Sequence, residues 1–356
     1  MLAAVTRSPG VLELSEVPEP GRPGPRDVII RPQVVGICGS DLHLFDGDVG
    51  ALSGARHFFP RVQGHELAAV IEAAGRDCPP GLRPGDRVAV FPLRACGRCY
   101  PCRAGQANAC VSLELVGVHT DGGLQELLCL PASQVFGVGE LAPDAGAFVE
   151  PMSIAVHALA RAGIRAGQQA AVLGAGPIGL AVLIAAVAAG ARVLVADPVP
   201  GRRELAARLG AERVIWGSRD EVTGAARDWA GGEGPPRVLD TTGDPAVLAQ
   251  ATELVSSAGR VVVVGMSAAA APVRSGIFPE KEIEVTGSSV ATVPDFRRAV
   301  RLVRICQDQV AALLTHRFPL TRARDALACV AGRGPDVVKV LITVNGQDSR
   351  EADIRH

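Results

Sequence analysis

Between residues 170 and 265 the apolar residues come in short unbroken runs, not in alternation. The runs at 170–173, 193–196, 238–240 and 261–265 are rich in Val, Leu and Ala. Such runs predict strands buried on both faces, as in a parallel sheet. Between them, 202–209 and 246–256 carry helical spacing, and a further helix is expected over 153–162. Strand and helix in alternation predict βαβ units. The N-terminal part reads differently. Short Val/Ile segments at 28–30 and 88–91 sit among Pro- and Gly-rich turns such as Glu19-Pro-Gly-Arg-Pro-Gly24, a β-rich pattern. After about 290 the chain turns helical at 295–306, gives a strand at 338–343, and ends in a polar tail from 345 that is expected to fray. The organisation predicted is α/β: a β-rich domain over 1–152, a doubly wound parallel-sheet domain over 153–291, and a return to the first domain over 292–356.

Composition narrows the class. The 356 residues are enough for about two domains, and a formal charge of −1 gives no field for nucleic acid or anionic lipid. One stretch, 170–196, has Arg192 as its sole charge and is long enough to span a bilayer. Gly174, Gly176, Pro177, Gly179 and Gly190 interrupt it, so it reads as buried strand, turn, helix and strand. No export signal is apparent, and a cytoplasmic protein is expected.

Gly174-Ala-Gly176-Pro177-Ile178-Gly179 follows the first of these strands and opens a helix, and Asp197 ends the next strand. That order is the dinucleotide fingerprint. Gly174 permits the turn, Gly176 lets phosphate approach the backbone, and Gly179 lets helix and strand pack. A carboxylate at Asp197 would bond the ribose hydroxyls and repel a 2′-phosphate, which favours NAD over NADP. Arg202 and Arg203 could instead serve a 2′-phosphate, but a solvated first helical turn is the plainer reading. Thr241-Thr242-Gly243 and Gly265-Met266 end strands on the side where the cofactor is expected, making Thr242 and Gly265 candidate contacts.

Nine cysteines are present, and Cys96, Cys99, Cys102 and Cys110 crowd into the loop 95–111 as C-x2-C-x2-C-x7-C. Without an export signal this favours metal over disulfides. Four thiolates close one tetrahedral ion completely, so the loop is a candidate structural zinc site. An iron–sulfur cluster is disfavoured because the fourth cysteine lies too far along and Val111 follows it in place of Pro. Cys78, Cys129, Cys306 and Cys329 read as buried or incidental thiols, and His57, His157 and His316 as structural.

Gly36-Ile-Cys38-Gly-Ser40-Asp41-Leu-His43, Gly64-His65-Glu66, the four-cysteine loop, Glu150-Pro151 and the fingerprint with Asp197 together resemble the zinc-dependent medium-chain alcohol and polyol dehydrogenases, from end to end of the chain. The resemblance implies a GroES-like catalytic domain joined to a Rossmann domain. It implies two zinc ions per chain, one structural and one catalytic, and NAD. It places Cys38, His65 and Glu150 at the catalytic zinc, with Glu66 as alternative or exchanging ligand. Ser40 would take the alcohol proton and pass it through a ribose hydroxyl to His43, while Asp41 orients the loop. A glutamate at 150 points to the polyol, threonine and sugar-acid members. Segments 116–123, 278–282 and 287–294 resemble enzymes acting on L-galactonate, whereas Leu93 stands where threonine dehydrogenases carry His. The expected activity is hydride transfer from a secondary alcohol, a polyol or sugar acid, to NAD. A threonine-type amino-alcohol dehydrogenase and a non-catalytic NAD-binding zinc protein are the alternatives. Arg94 and His119 are candidate substrate contacts, though a solvated charge and a turn residue are the plainer readings. The resemblance also implies a homodimer or homotetramer.

Overall fold

The computed structural model describes residues 1–48 and 58–345. His57 and the tail beyond 345 fall outside the described residues. The chain divides into two units, Met1–Glu150 with Thr292–His356, and Pro151–Ala291. The cut falls two residues before the one expected at 152.

In the first unit a mixed sheet is built around the long strand Asp27–Gly36. Across the sheet the order is Val135–Gly137, Arg87–Val90, Glu66–Ala74, Asp27–Gly36, Lys339–Thr343 and Leu314–Pro319, with Leu128–Pro131 pairing beside Asp27–Gly36. The return segment therefore supplies an inner strand, Lys339–Thr343, and the edge strand Leu314–Pro319 of a sheet begun by the N-terminal segment: Leu341 pairs with Gly36 and Ile342 with Val35. A second sheet joins Val11–Glu16, Leu2–Ser8 and Arg61–Val62. Apolar side chains such as Val28, Ile30, Leu67, Ile71, Val340 and Ile342 fill the core. Phe91, Phe136 and Phe296 cluster with ring centroids 5.2–6.4 Å apart, fastening the return helix Val293–Ile305 to the first segment.

The second unit is a six-stranded parallel sheet in the order Arg213–Ile215, Arg192–Ala196, Gln169–Leu173, Arg237–Asp240, Arg260–Val263 and Glu284–Gly287. Numbered within the unit this is 3-2-1-4-5-6, the doubly wound order. The apolar run 170–196 resolves into a buried strand, the twelve-residue helix Pro177–Ala188 and a second buried strand. No helix among the described residues is long and apolar enough to cross a membrane.

Two local expectations need correction. The helix expected over 153–162 is Val149–Ala162, so Glu150 and Pro151 lie in its first turn. Pro is tolerated there because a first-turn N–H has no intrahelical partner to lose. The strand expected over 261–265 stops at Val263. There Val264 and Gly265 turn their N–H groups to the carbonyl of Asp240 at the neighbouring strand's end.

Candidate metal centres and dinucleotide loop

Cys38 stands between the strand Asp27–Gly36 and the helix Gly39–Asp46 as that helix's N-cap, in extended backbone. Asp41 folds back on it, and its Oδ2 accepts the Cys38 N–H at 2.9 Å. His65 sits just before the strand Glu66–Ala74, in a turn that needs Gly64 at φ +95°, where a Cβ would meet Val35 at 2.7 Å. Strand pairing of Gly36 with Glu66 brings the two turns together. One ligand atom each of Cys38, His65 and Glu66 lies within 4.8 Å of the others.

Both Glu66 oxygens are occupied. Lys339 Nζ donates to them at 2.7 and 2.6 Å and to the Ile37 carbonyl at 3.0 Å, in a pocket where Lys339 and Glu66 are almost wholly buried. A Cβ at Gly36 would lie 2.2 Å from Glu66 Oε2, so a glycine is needed beside this pair. Glu150 does not join the tight trio. It is buried nearby, and burial pushes its carboxyl up to about 7, opposed by the field of His65 and reinforced by that of Glu66.

The imidazole of His65 is addressed from both edges. Ser40 Oγ lies 3.4 Å from Nε2, and Asp41 Oδ1 lies 3.6 Å from Nδ1. Neither Asp41 Oδ1 nor Nδ1 has another hydrogen-bond partner among the described residues. Burial opposes protonation of His65, but the charge and hydrogen bonding of Asp41, with help from Cys38, outweigh it and hold the ring well above its usual value. His43, one turn beyond Ser40, is half-exposed with Nδ1 3.2 Å from Asp48.

This donor set fits a zinc ion. Zinc takes imidazole, thiolate and carboxylate together, and a ligating histidine commonly donates its other N–H to a carboxylate. The facing orphan pair on Asp41 and His65 provides that arrangement. Asp41 thus holds the loop through the Cys38 N–H and also faces His65, and Lys339 is a further buried residue beside Glu66 that sequence reasoning missed. The only signal for Lys339 was a lone charge between apolar residues in a short strand.

The four-cysteine loop also fits a metal. Cys99 Sγ lies 3.4 Å from Cys102 Sγ and 3.7 Å from Cys110 Sγ, and all four sulfurs lie within 4.8 Å of one another. A tetrahedron of zinc–sulfur bonds of about 2.3 Å has edges of about 3.8 Å. Backbone N–H groups of Cys96 and Ser112 point at Cys110 Sγ at 3.2 and 3.3 Å. The N–H groups of Cys102 and Val111 lower the Cys99 thiol to about 6. These hydrogen bonds favour the thiolate at Cys99, the form that binds metal, while burial and the neighbouring sulfurs push the Cys102 thiol up to about 12.

In the second unit, Gly176 caps the helix Pro177–Ala188 without a side-chain cap, leaving its first N–H groups open to an anion. A Cβ at Gly176 would meet nothing, so the backbone there is free to be approached; at Gly179 it would lie 1.9 Å from the Gly174 carbonyl oxygen. Pro177 and Ile178 form the first turn. Asp197 is buried, accepting Ala175 N–H at 2.7 Å and Val199 N–H at 2.8 Å, which ties the fingerprint turn to the second strand. Arg203 donates to the Asp197 and Pro198 carbonyls, while Arg202 is half-buried on the helix Pro200–Arg208. Thr242 donates through N and Oγ1 to Asp240 at 2.9 and 2.6 Å, and a Cβ at Gly265 would meet Gly243 N at 2.1 Å.

Other candidates have structural partners. Arg94 pairs with Glu114 across the two-stranded ribbon that flanks the cysteine loop. His119 Nδ1 accepts the Leu115 N–H at 3.0 Å within a turn. Of the remaining cysteines, Cys306 is buried, while Cys129 is exposed because its strand points that side chain to solvent.

A family model described as a zinc-binding dehydrogenase matches residues 177–304, and one described as an alcohol dehydrogenase GroES-like domain matches residues 24–140. The chain is 34% identical to the L-galactonate-5-dehydrogenase of Escherichia coli K12, over 90% of this chain and 93% of that protein. It is 35% identical to the L-threonine 3-dehydrogenase of Pyrococcus horikoshii, over 75% and 76%. Among solved structures, an alcohol dehydrogenase, RspB, of Escherichia coli CFT073 complexed with NADH superposes with a TM-score of 0.87 at 30% identity, covering 97% of this chain and 99% of that one.

Proposed function

This chain belongs to the zinc-binding medium-chain dehydrogenases, and on that footing we propose that it oxidises a secondary alcohol, a polyol or sugar acid such as L-galactonate, to a ketone with reduction of NAD. The observation that carries the proposal is the convergence of Cys38, His65 and a glutamate on one point, with Asp41 behind the histidine. In this reading 1–152 with 292–356 is the catalytic zinc domain and 153–291 the NAD domain. The balance is alcohol plus NAD⁺ to ketone, NADH and one proton.

Zinc bound here supplies a Lewis acid that lowers the pKa of a substrate hydroxyl, and NAD accepts the hydride. Cys38 and His65 hold the metal. Glu150 or Glu66 would be the third ligand: Glu66 lies within the trio but both its oxygens accept from Lys339, and Glu150 is buried nearby. Asp41 fixes the His65 tautomer through Nδ1, leaving Nε2, on the Ser40 side, as the metal-binding nitrogen. Ser40 receives the hydroxyl proton. His43, half-exposed beside Asp48, exchanges it with water. The four cysteines hold a second zinc that shapes their loop. Gly174, Gly176, Pro177, Ile178 and Gly179 bind the pyrophosphate and Asp197 the adenosine ribose, with Arg202, Thr242 and Gly265 lining the cofactor. A cytoplasmic homodimer or homotetramer completes the proposal, and size-exclusion chromatography with light scattering reads the subunit count.

The experiment is NADH formation over a panel of polyols, aldonates and threonine. Turnover of an aldonate or polyol is expected. Activity confined to threonine would transfer the chain to the amino-alcohol reading, which the Pyrococcus relative favours.

A further inference from the structure

Three wholly buried polar residues form a line that stops at a metal-ligand histidine. Thr6, on the strand Leu2–Ser8, donates its hydroxyl to Gln63 Oε1 at 2.6 Å. Gln63 Nε2 donates to the backbone carbonyl of Asp41 at 2.8 Å. Asp41 then meets His65 Nδ1 through its carboxylate. Thr6, Gln63 and Asp41 are each 0% exposed, so the line has no access to water. The amide orientation follows from the chemistry: a backbone carbonyl only accepts, so the Gln63 atom facing Asp41 is the nitrogen.

A buried amide and hydroxyl are costly unless bonded, and an apolar pair of similar volume would fill the same space. Their chain neighbours Val5 and Val62, and Leu124, belong to the apolar core. What this pair adds is direction. The Gln63 backbone is already fixed, because its carbonyl accepts the Leu124 N–H at 3.0 Å. Its side chain then reaches across to the first turn of the helix Gly39–Asp46, between the two turns that carry Cys38 and His65.

We infer that Gln63, held by Thr6, is a positioning residue that locks the Cys38–Asp41 turn to the His65 turn and so pre-arranges the catalytic metal site. This rests on the zinc reading above. Gln63 acts through Asp41, whose carbonyl it bonds.

The test uses the zinc-loaded full chain and a chromophoric chelator, following zinc release with time. Wild type should show two phases, and Cys38→Ser identifies the catalytic one by abolishing it. Partners behind metal ligands typically govern affinity by about 10–100-fold. Gln63→Met should therefore speed the catalytic phase by about tenfold and leave the cysteine-loop phase unchanged. It should also shift the visible bands of the cobalt-substituted protein. Thr6→Val should move the same phase in the same direction by less. Thr6→Val/Gln63→Met, which strands no hydroxyl, should match Gln63→Met in release rate while regaining thermal stability. If the Gln63 variants do not fold, Thr6→Val alone decides. An unchanged catalytic phase and cobalt spectrum, with only a lower melting temperature, would overturn the inference. A wild type with a single phase indifferent to Cys38→Ser would instead refute the zinc reading.

Discussion

Replacing Lys339 by Met removes one partner of a buried ion pair and is the sharpest mechanical test of the catalytic domain. Lys339 is 2% exposed and Glu66 1% exposed. Three acceptors would lose their donor at once: both Glu66 oxygens and the Ile37 carbonyl. Removing one partner of such a pair strands the other charge and costs about 3–5 kcal/mol. A second substitution, Glu66→Gln, takes the stranded charge away, so Lys339→Met/Glu66→Gln should recover more than half of the loss. Tryptophan fluorescence would report the wrong place, since Trp216 and Trp229 both lie in the second unit. Hydrogen exchange read by mass spectrometry over the strands Asp27–Gly36 and Lys339–Thr343 reports locally. A loss of protection below about 1 kcal/mol in the single variant, or no recovery in the double, would show that the pair does not hold these strands as argued.

Three further outcomes are expected. Asp197→Ala should move the cofactor preference toward NADP, read as the ratio of kcat/KM values; an unchanged ratio would remove Asp197 from ribose recognition. Cys99→Ser should cost one zinc per chain and expose the loop 95–111 to protease, whereas an unaltered metal content would deny the structural site. Asp240 is held above the usual carboxylate range by burial, opposed by hydrogen bonds from Thr242. A raised folded pKa favours the folded state fully at low pH, and that contribution is lost as pH rises through the folded value. Asp240→Asn does not titrate, so its stability relative to wild type should increase as pH rises from below the unfolded aspartate range toward neutrality. Denaturant melts over that window showing a decrease would reverse the sign.

The second unit was the more legible in the sequence, for a physical reason. Its inner strands are buried on both faces, so 170–173 and 193–196 are apolar throughout, and the fingerprint glycines are required by contacts within a few residues, as with Gly179 against Gly174. The cysteine loop was legible because its ligands are local. The first unit's chemistry depends on pairs far apart in the chain. Lys339 bonds to Ile37 across 302 positions and to Glu66 across 273, and Thr6 bonds to Gln63 across 57. Periodicity carries no trace of such pairs, so a lone Lys or Gln in an apolar segment reads as a surface residue until the strands are aligned. The helix starts at Val149, ahead of the 153 expected, because its first turn accepts Pro151.

The count of zinc ions in purified wild type and Cys38→Ser, measured with NADH formation on the same samples, goes most directly to whether Cys38 and His65 share a working metal. Two ions per wild-type chain, one in the folded variant, and turnover lost while NAD still binds is the predicted result. A Cys38→Ser protein that keeps both ions, or that oxidises substrate at the wild-type rate, would contradict it.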